Sequence, residues 1–340
     1  MRKSLTLFTA ALIIGGLAQP AQADAGPVTR TTLAGASTFT PGVEKRVLSR
    51  TVTLAAGESR HVRGRLQATS STTAVVAMND TLKCADAAGA VTGVTSTSSR
   101  NHEGSDTTSY ATPGHLPLYA DLLFTAPSAG TYTCGLYAYT ASTSQTGYHL
   151  TAVAGDTWLE VSDTDQAGAR WWQNPACNSV GSSSTCTYIG AGTPTAWVFY
   201  SDGTPVYKWN AAAGATSVQA LANLELTTCY TGTASCTGVD AYEKARGTNS
   251  VVDVRYEVIQ LDTTAHTCRT TSTAESRKTI RDDAHHYVVN FALSGIPVDP
   301  SCGTRNFLMR IYVEHVSGNP IKIDGMQSTS LTNGIMMNVF

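Results

Sequence analysis

Apolar and polar residues alternate at every second position in many stretches of this chain, and this period predicts β-strands. The clearest case begins at Gly130, where alternate positions are then held by Tyr132, Cys134, Leu136 and Ala138. Side chains of a strand point to its two faces in turn, so these four residues are predicted to be buried on one face. No segment keeps a helical period for long. We therefore expect an all-β protein.

Residues 61–68 form a second stretch that alternates strictly. The polar side of this stretch carries His61, Arg63 and Arg65, and its other side is apolar or small. An antiparallel strand of this kind commonly packs one face on the core and leaves the other in water. We expect the three basic side chains to face solvent.

The second half of the chain has the same period in residues 251–261, 286–293 and 306–315, but its composition differs. All five tryptophans lie beyond Ala154, namely Trp158, Trp171, Trp172, Trp197 and Trp209. The two halves are not copies of each other. We predict two unlike antiparallel β-sandwich domains in tandem, with residues 41–154 in the first and 155–340 in the second. Residues 26–40 are predicted to be a flexible arm or an edge strand.

The start of the chain is typical of a secretory signal peptide. Arg2 and Lys3 precede an apolar run over residues 5–17, and small residues follow up to Ala25. The run is too short for a permanent membrane span, which needs about 20 residues. We expect residues 1–25 to be removed, the protein to be secreted, and no transmembrane segment to remain.

Cysteine usage agrees with export, because all 8 cysteines follow the predicted leader and their number is even. Paired thiols are expected outside the cell. The chain contains no Cys-x-x-Cys that would indicate zinc. Spacing favours four disulfide bonds, which join Cys84 to Cys134, Cys177 to Cys186, Cys229 to Cys236, and Cys268 to Cys302.

The order Gly130, Tyr132, Cys134 resembles the Gly-x-Tyr-x-Cys run of immunoglobulin-like sandwiches. The resemblance implies that Tyr132 closes a corner and that Cys134 forms a bridge between two sheets. Two positions depart from the family, since Ser128 replaces its usual aspartate and no tryptophan lies between Cys84 and Cys134. A fibronectin-like or jelly-roll arrangement therefore stays open for the first domain.

The chain shows no sequence motif of an enzyme or of a nucleic-acid-binding protein. Charged residues make up 14% of it and the formal net charge is −2, which argues against nucleic acid as a partner. It lacks Gly-x-Ser-x-Gly, Ser-x-x-Lys and His-Glu-x-x-His. We expect no organic cofactor and assign no catalytic residues.

Two acidic clusters are candidate metal sites. Asp163 and Asp165 could supply oxygen ligands to calcium. The second cluster, just ahead of a predicted strand, consists of Asp282, Asp283, His285 and His286. Carboxylates beside imidazoles can hold a divalent metal or transfer protons. This cluster defines an alternative function, a secreted hydrolase or metal-dependent enzyme.

Aromatic and basic residues supply the candidate ligand-binding groups. Trp171 and Trp172 are adjacent, so at most one of them can face the core of a strand. Flat exposed rings can stack on sugars or insert into a protein partner. The full candidate set is Trp171, Trp172, Tyr137 and Tyr139, together with Arg100 and His102 in a predicted loop.

Together these patterns predict a secreted, non-catalytic binding or interaction protein. Its expected ligand is an extracellular polysaccharide or another secreted protein. A third alternative is a structural or adaptor subunit of an extracellular assembly, in which an exposed strand edge pairs with a partner.

Overall fold

The computed structural model describes residues 28–72, 74, 76–102, 115–141, 146–173, 187–199, 207–229, 236, 247–282, 287–323 and 334–339. Apart from 3-10 turns, of which the longest is Pro300–Cys302, the regular elements in these ranges are all strands. The all-β prediction is confirmed. No helix within the described ranges is long and apolar enough to cross a membrane.

The first part of the chain forms two antiparallel sheets with a core between them. Sheet 1 contains β1 (Val28–Thr32), β2 (Ser37–Phe39), β4 (Ser59–Ser70), β7 (His115–Thr125), β9 (Leu150–Ala152) and β10 (Trp158–Ser162). Sheet 2 contains β3 (Lys45–Leu54), β5 (Val76–Ala85), β6 (Val91–His102) and β8 (Gly130–Ala141), in the spatial order β3-β8-β5-β6. The alternating apolar positions of these strands, such as Leu66, Leu82 and Leu136, are fully buried between the two sheets.

Two further antiparallel sheets form a second sandwich. Sheet 3 contains β11 (Arg170–Gln173), β12 (Thr187–Ile189), β15 (Ser217–Thr228), β19 (Tyr287–Pro297), β21 (Ile321–Ile323) and β22 (Gly334–Val339). Sheet 4 contains β13 (Thr195–Val198), β14 (Lys208–Asn210), β16 (Ser250–Leu261), β17 (Thr267–Ser272), β18 (Ser276–Ile280) and β20 (Asn306–Gly318). Tyr256, Leu224 and Met309 lie in the core between them.

Strand pairing passes from the first sandwich to the second after Ser162, not after Ala154. Strand β10 pairs with β1 and β4 of sheet 1, so Trp158 belongs to the first sandwich. Strand β1 occupies an edge of that sheet. Whether the two sandwiches behave as separate domains stays a prediction.

The disulfide bond between Cys84 and Cys134 is confirmed, but it lies within one sheet. The two residues are directly opposite on the neighbouring strands β5 and β8, with their Cα atoms 4.0 Å apart. The inter-sheet bridge implied by the immunoglobulin resemblance is therefore wrong, because the strand register places both cysteines on the same side of sheet 2. The Cys229–Cys236 and Cys268–Cys302 bonds are also confirmed, and Cys177 and Cys186 lie outside the described residues.

The tyrosine corner implied by the same resemblance is present. The Tyr132 hydroxyl donates a 2.7 Å hydrogen bond to the backbone oxygen of Ser128. The Tyr132 ring packs edge-on against Phe124 in the first core, with 5.1 Å between ring centroids. The local order Gly-Tyr-Cys thus gives the expected corner even though the Cys84–Cys134 bond lies within one sheet and not between two.

Sheet 3 lies across two edge strands of the first sandwich. Strand β6 is an edge of sheet 2 and β7 is an edge of sheet 1, and such edges leave backbone groups without a partner strand. Side chains of β15 form hydrogen bonds with some of these edge backbone groups. The Ser98 N–H donates to Glu225 at 3.3 Å, and the Asn223 side-chain amide donates to the Tyr119 carbonyl at 3.1 Å. Val288 adds an apolar contact with the first core.

This contact also covers the polar side of β4, which was expected to face solvent. That expectation is wrong, since His61 is 5% and Arg63 is 4% exposed. Arg63 donates to Asn290 of sheet 3 at 3.2 Å, and His61 Nε2 lies 2.9 Å from the Asp121 carboxylate. Burial raises the pKa of Asp121, but Arg63 and His61 outweigh burial and hold the pKa below its usual value.

One buried carboxyl has no such partner. Asp80 is fully buried on the core side of β5, and neither of its oxygens has a hydrogen-bond partner in the described part of the chain. Gly64 faces it from sheet 1, where an added Cβ would lie 3.7 Å from Asp80 Oδ1. Burial, and then the charge of Asp121, raise the pKa of Asp80 well above its usual value. The folded protein therefore favours the neutral acid.

The substitution Asn223→Ala is expected to lower the free energy of unfolding by about 1–3 kcal/mol, because it removes a buried donor at the contact between the sandwiches. Asn290 would also lose the Asn223 oxygen to which it donates at 2.7 Å. The control is Asn79→Ala, which removes a half-buried amide with no side-chain hydrogen bond among the described residues. Urea unfolding of both variants provides the measurement, and equal losses would contradict the role of Asn223.

Asp80→Asn is expected to change how stability depends on pH. The unfolded chain ionises Asp80 near pH 4, whereas the folded chain holds its proton to higher pH. Protonated Asp80 makes its full contribution to stability below pH 4. As pH rises further, the free energy of unfolding falls by up to about 1.4 kcal/mol per pH unit until the pH reaches the pKa of Asp80 in the folded protein. Asp80→Asn should therefore gain stability relative to wild type as pH rises from 4 to 7. The exposed Asp156→Asn control should track wild type, and parallel curves for all three proteins would rule out this account.

Candidate functional site

The outer face of sheet 4 carries a row of aromatic and basic side chains. Strand register places Trp197 of β13 opposite Tyr312 of β20, and Tyr312 opposite Arg255 of β16. Neighbouring residues of β20, such as Ile311 and Val313, point into the second core. Because strand side chains alternate, Tyr312 must point away from that core. The row therefore lies on the outer face of the sheet.

Each of the two rings has a guanidinium group over it. The centroids of Trp197 and Tyr312 are 4.9 Å apart, with their planes tilted by 52°. The Arg310 guanidinium carbon lies 3.9 Å from the Trp197 centroid, and that of Arg255 lies 5.0 Å from the Tyr312 centroid. These cation–π contacts fix both rings against arginine side chains.

Carboxylates beneath the arginines hold the guanidinium groups in place. Glu257 accepts hydrogen bonds from Arg255 at 2.9 Å and from Arg310 at 2.8 Å. Asp253 accepts two hydrogen bonds from Arg277, at 2.9 and 2.6 Å. These bonds hold the pKa of Asp253 below its usual value. The side chains of Glu257 and Asp253 are only 9% and 10% exposed, whereas that of Arg277 is 62% exposed.

Two further carboxylates complete the surface. Glu275 accepts a hydrogen bond from Arg255 at 3.0 Å, and Glu314 accepts one from the Tyr312 hydroxyl at 3.1 Å. Burial and then the Glu314 interaction raise the pKa of Tyr312, so this phenol remains a donor. We call this surface the Trp197 face, and it consists of Trp197, Tyr312, Arg255, Arg277, Arg310, Asp253, Glu257, Glu275 and Glu314.

The sequence pattern does not single out the Trp197 face as a site. Its signal is present in the alternation of β16 and β20, whose polar positions include Arg255 and Arg310. Alternation separates the two sides of a strand, but it does not show whether a polar side will be covered by another sheet. Only the packing of the sheets distinguishes this face from the buried polar face of sheet 1.

The adjacent tryptophans divide between two faces, as strand geometry requires. Trp172 packs against the second core and lies edge-on to Tyr207, at 6.3 Å between centroids. Trp171 is half-buried, and the alternation of β11 places it on the opposite face of the strand. The structure therefore does not present the pair as one flat surface.

The candidates in the first sandwich have structural contacts of their own. The Tyr137 ring lies over Gly135, where an added Cβ would be 2.8 Å from the ring, and Lys83 Nζ is 4.9 Å from its centroid. Tyr139 is half-buried two residues further along the same face.

Arg100 and His102 were expected in a loop, and the structure corrects this. Both residues belong to β6, whose pairing with β5 extends to a match between Val76 and His102. Several of the Ser and Thr residues that suggested a loop are buried within this strand, where the Thr97 hydroxyl donates to the Tyr119 carbonyl at 2.8 Å. Arg100 and His102 stay candidate ligand-binding residues, and the structure gives only their positions on β6.

The carboxylates proposed for calcium accept hydrogen bonds from different parts of the first sandwich. Asp163 accepts from the Thr29 hydroxyl at 2.8 Å and from Arg50 at 3.4 Å. Asp165 accepts from the Ser59 N–H at 2.8 Å. Both carboxylates thus have protein donors as partners, and calcium binding here stays a prediction.

Only one member of the second metal cluster can be located. Asp282 accepts a 2.6 Å hydrogen bond from the Gly247 N–H. Asp283, His285 and His286 lie outside the described residues. Within the described part of the chain, no group of three or more His, Cys, Asp or Glu side chains is arranged to hold a metal ion.

No known protein family matches the sequence, and no curated protein matches it either. Solved structures share weak likeness over most of the chain. The tandem CBM22 domain of Paenibacillus barcinonensis Xyn10C is 10% identical, with 94% of this chain and 99% of that chain covered and a TM-score of 0.24. A structure of the infectious bursal disease virus Gt strain is 11% identical, with 92% of this chain and 70% of that chain covered and a TM-score of 0.27. The stem and receptor-binding domain of the spike protein P1 of bacteriophage PM2 is 10% identical, with 89% of this chain and 99% of that chain covered and a TM-score of 0.24. Likenesses at these scores carry no argument about function.

Glu257→Gln is expected to lower the free energy of unfolding by about 1–3 kcal/mol, because two guanidinium groups lose a nearly buried charged acceptor. The matched control is Glu275→Gln, since Glu275 also bonds Arg255 but its side chain is 45% exposed. The control should cost less than about 1 kcal/mol. Thermal and urea unfolding provide the measurement. A larger loss of stability in Glu275→Gln than in Glu257→Gln would contradict the stabilising role of Glu257.

Proposed function

We propose that this protein is a secreted, non-catalytic binding protein that recognises an extracellular polysaccharide through the Trp197 face. The observation that carries the proposal is the set of arginine, carboxylate and aromatic side chains that hold one another in position on the outer face of sheet 4. The predicted leader and the three disulfide bonds among the described residues support export, because disulfide bonds persist in oxidising compartments.

The composition of the Trp197 face favours a polysaccharide over a protein partner. Protein interfaces are enriched in aromatic residues and arginine but depleted in Asp and Glu, and the Trp197 face carries four carboxylates. Here two rings are surrounded by seven charged side chains, and each ring already contacts an arginine. A polyhydroxylated chain can donate to Glu275 and Glu314 and accept from the arginines, so it can use both kinds of group.

The arrangement is also preorganised for binding. Glu257 holds Arg255 and Arg310, and Asp253 holds Arg277 through two bonds. Side chains that are already ordered lose less conformational entropy when a ligand binds. A face built this way can bind a flexible polymer without first having to order its own groups.

The two alternatives have less support in the described residues. A metal-dependent hydrolase would use the cluster at Asp282, of which only Asp282 is described, and this carboxylate accepts a backbone hydrogen bond. An assembly subunit would need an exposed strand edge, and β17 offers an exposed edge strand at one side of sheet 4. Neither feature combines as many preorganised groups as the Trp197 face.

The proposal is tested by retention of the mature protein on a panel of cellulose, xylan, chitin, starch, alginate and polygalacturonate. Trp197→Ala and Tyr312→Ala should each reduce retention on the polymer that binds by at least tenfold, because each removes a support of the arginine layer. Trp171→Ala is the matched control, since Trp171 lies on sheet 3 and should leave retention unchanged.

Circular dichroism and thermal unfolding must show that all three variants are folded. Absence of retention on every polymer would disprove polysaccharide binding. Loss of retention in Trp171→Ala with none in Trp197→Ala would place the binding site elsewhere.

A further inference from the structure

We infer that the polysaccharide recognised by the Trp197 face is uncharged and is bound through its hydroxyl groups. This inference rests on the proposed function and narrows its ligand class. It follows from three features of the face: its charges nearly cancel, its most exposed arginine is surrounded by carboxylates, and it offers both hydrogen-bond donors and acceptors.

The first feature is the balance of charge. The face holds three arginines and four carboxylates, so its formal net charge is 3 − 4 = −1. The side chain of Arg277 is 62% exposed, and that of Glu275, with the opposite charge, is 45% exposed. Those of Arg255 and Arg310 are 29% and 26% exposed. The face therefore has no excess of positive charge that would attract an acidic polymer, and the exposed Arg277 opposes a cationic one.

The second feature is the surroundings of Arg277. Its guanidinium group donates two hydrogen bonds to Asp253, at 2.9 and 2.6 Å. Asp253, and to a smaller extent the charges of Glu275 and Glu314, raise the pKa of Arg277. The positive charge of Arg277 is thus already compensated within the protein. An acidic sugar that reached Arg277 would meet three carboxylates, and like charges brought together at a binding surface disfavour binding.

The third feature is a set of donors and acceptors of both kinds, and the donors belong to two arginines. Arg277 uses Nε and Nη2 for Asp253, so its Nη1 has no hydrogen-bond partner among the described residues. Arg255 bonds Glu257 through Nε and Glu275 through Nη1, which leaves Nη2 in the same situation. Each of these nitrogens can donate to an oxygen of a ligand.

The acceptors belong to two carboxylates. Glu275 accepts from Arg255 through Oε2, and Glu314 accepts from the Tyr312 hydroxyl through Oε2. The Oε1 atom of each carboxylate has no hydrogen-bond partner within the part of the chain that the structure describes. These oxygens can accept from a ligand, so the face offers acceptors as well as donors.

Hydroxyl groups match this surface because each of them can both donate and accept a hydrogen bond. Glu275 and Arg277 are two residues apart, and they bond Arg255 and Asp253 on the outer face of β16. Hydroxyl groups of one sugar chain can therefore accept from Arg277 and donate to Glu275. A carboxylate only accepts, so it would face the Glu275 oxygens without a proton between them. An ammonium group only donates, so it would face the Arg277 guanidinium in the same way.

The test uses the intact mature protein and pairs of soluble polymers that share a backbone and differ in charge, with affinity electrophoresis as the readout. The pairs are hydroxyethyl with carboxymethyl cellulose, highly methyl-esterified with free polygalacturonate, and glycol chitin with glycol chitosan. In each pair that binds, the uncharged member should bind at least about tenfold more tightly than the charged one. Raising sodium chloride to about 0.5 M should change the affinity for the uncharged member by less than about twofold, because salt screens only charged partners.

Arg277→Gln should weaken binding of the uncharged member by about tenfold, because it removes the Nη1 donor. Arg46→Gln is the matched control, since it changes an exposed arginine on β3 of the first sandwich and should leave binding unchanged. Equal affinity of Arg277→Gln and wild type would overturn the assignment of Arg277 as a donor to the ligand.

A double variant tests whether the carboxylates exclude acidic sugars. Glu275→Gln with Glu314→Gln changes the formal charge of the face from −1 to −1 + 2 = +1. It should bind polygalacturonate or carboxymethyl cellulose at least about tenfold more tightly than wild type does. The matched control, Glu44→Gln with Asp156→Asn, removes two charges from the first sandwich, where these side chains are 35% and 52% exposed, and should change neither affinity.

The outcomes separate this inference from the proposed function. Equal or tighter binding of the charged member of a pair, or retention on alginate and polygalacturonate alone, overturns the uncharged ligand while polysaccharide binding stands. An unchanged affinity of the double variant for the acidic polymers overturns the role of the carboxylates in excluding them. Absence of binding to every polymer of the pairs and of the panel overturns both. Thermal unfolding must show that each variant is folded, and the comparison of polymer pairs with the wild-type protein needs no variant.

Discussion

The contact between sheet 3 and the edge strands β6 and β7 determines which surfaces of this protein are available. Glu225 and Asn223 supply hydrogen bonds to backbone groups of Ser98 and Tyr119 that would otherwise lie at sheet edges. An uncovered edge exposes unpaired backbone groups and invites association with other chains. The same contact buries the polar face of sheet 1, whereas the outer face of sheet 4 keeps exposed side chains such as Arg277, which is 62% exposed.

The two polar faces have similar chemistry but different environments. On sheet 1, Arg30 lies 4.5 Å from the centroid of Trp158 and Arg63 lies 5.4 Å from that of Tyr119. Trp158 and Tyr119 are nearly buried there, at 6% and 9% exposed. Arg63 of that face donates to Asn290 across the contact between the sandwiches, whereas the side chain of Arg30 at the edge of the face is 42% exposed. On the Trp197 face similar groups border solvent, which is why we assign recognition to that face.

Much of the strand pattern, and little of the candidate site, could be predicted from the sequence. Strict alternation identified the buried sides of β8 and β16, and cysteine spacing identified the pairs Cys84–Cys134 and Cys268–Cys302. The candidate binding residues are placed by contacts that sequence does not show. Of the adjacent pair Trp171 and Trp172, it is Trp172 that packs against the second core, and Tyr137 lies over Gly135. Their role in binding stays a prediction.

The sequence by itself determined the all-β class, the tyrosine corner at Tyr132 and three of the cysteine pairs, because these depend on local periodicity and short-range order. Tertiary structure alone decided that Cys84 and Cys134 lie in one sheet, that Arg63 is buried and that Tyr312 borders solvent. Alternation shows which residues share one side of a strand, but the sheet that covers that side comes from distant parts of the chain. For the polar sides of β4 and β20, that neighbour decides between a structural and a binding role.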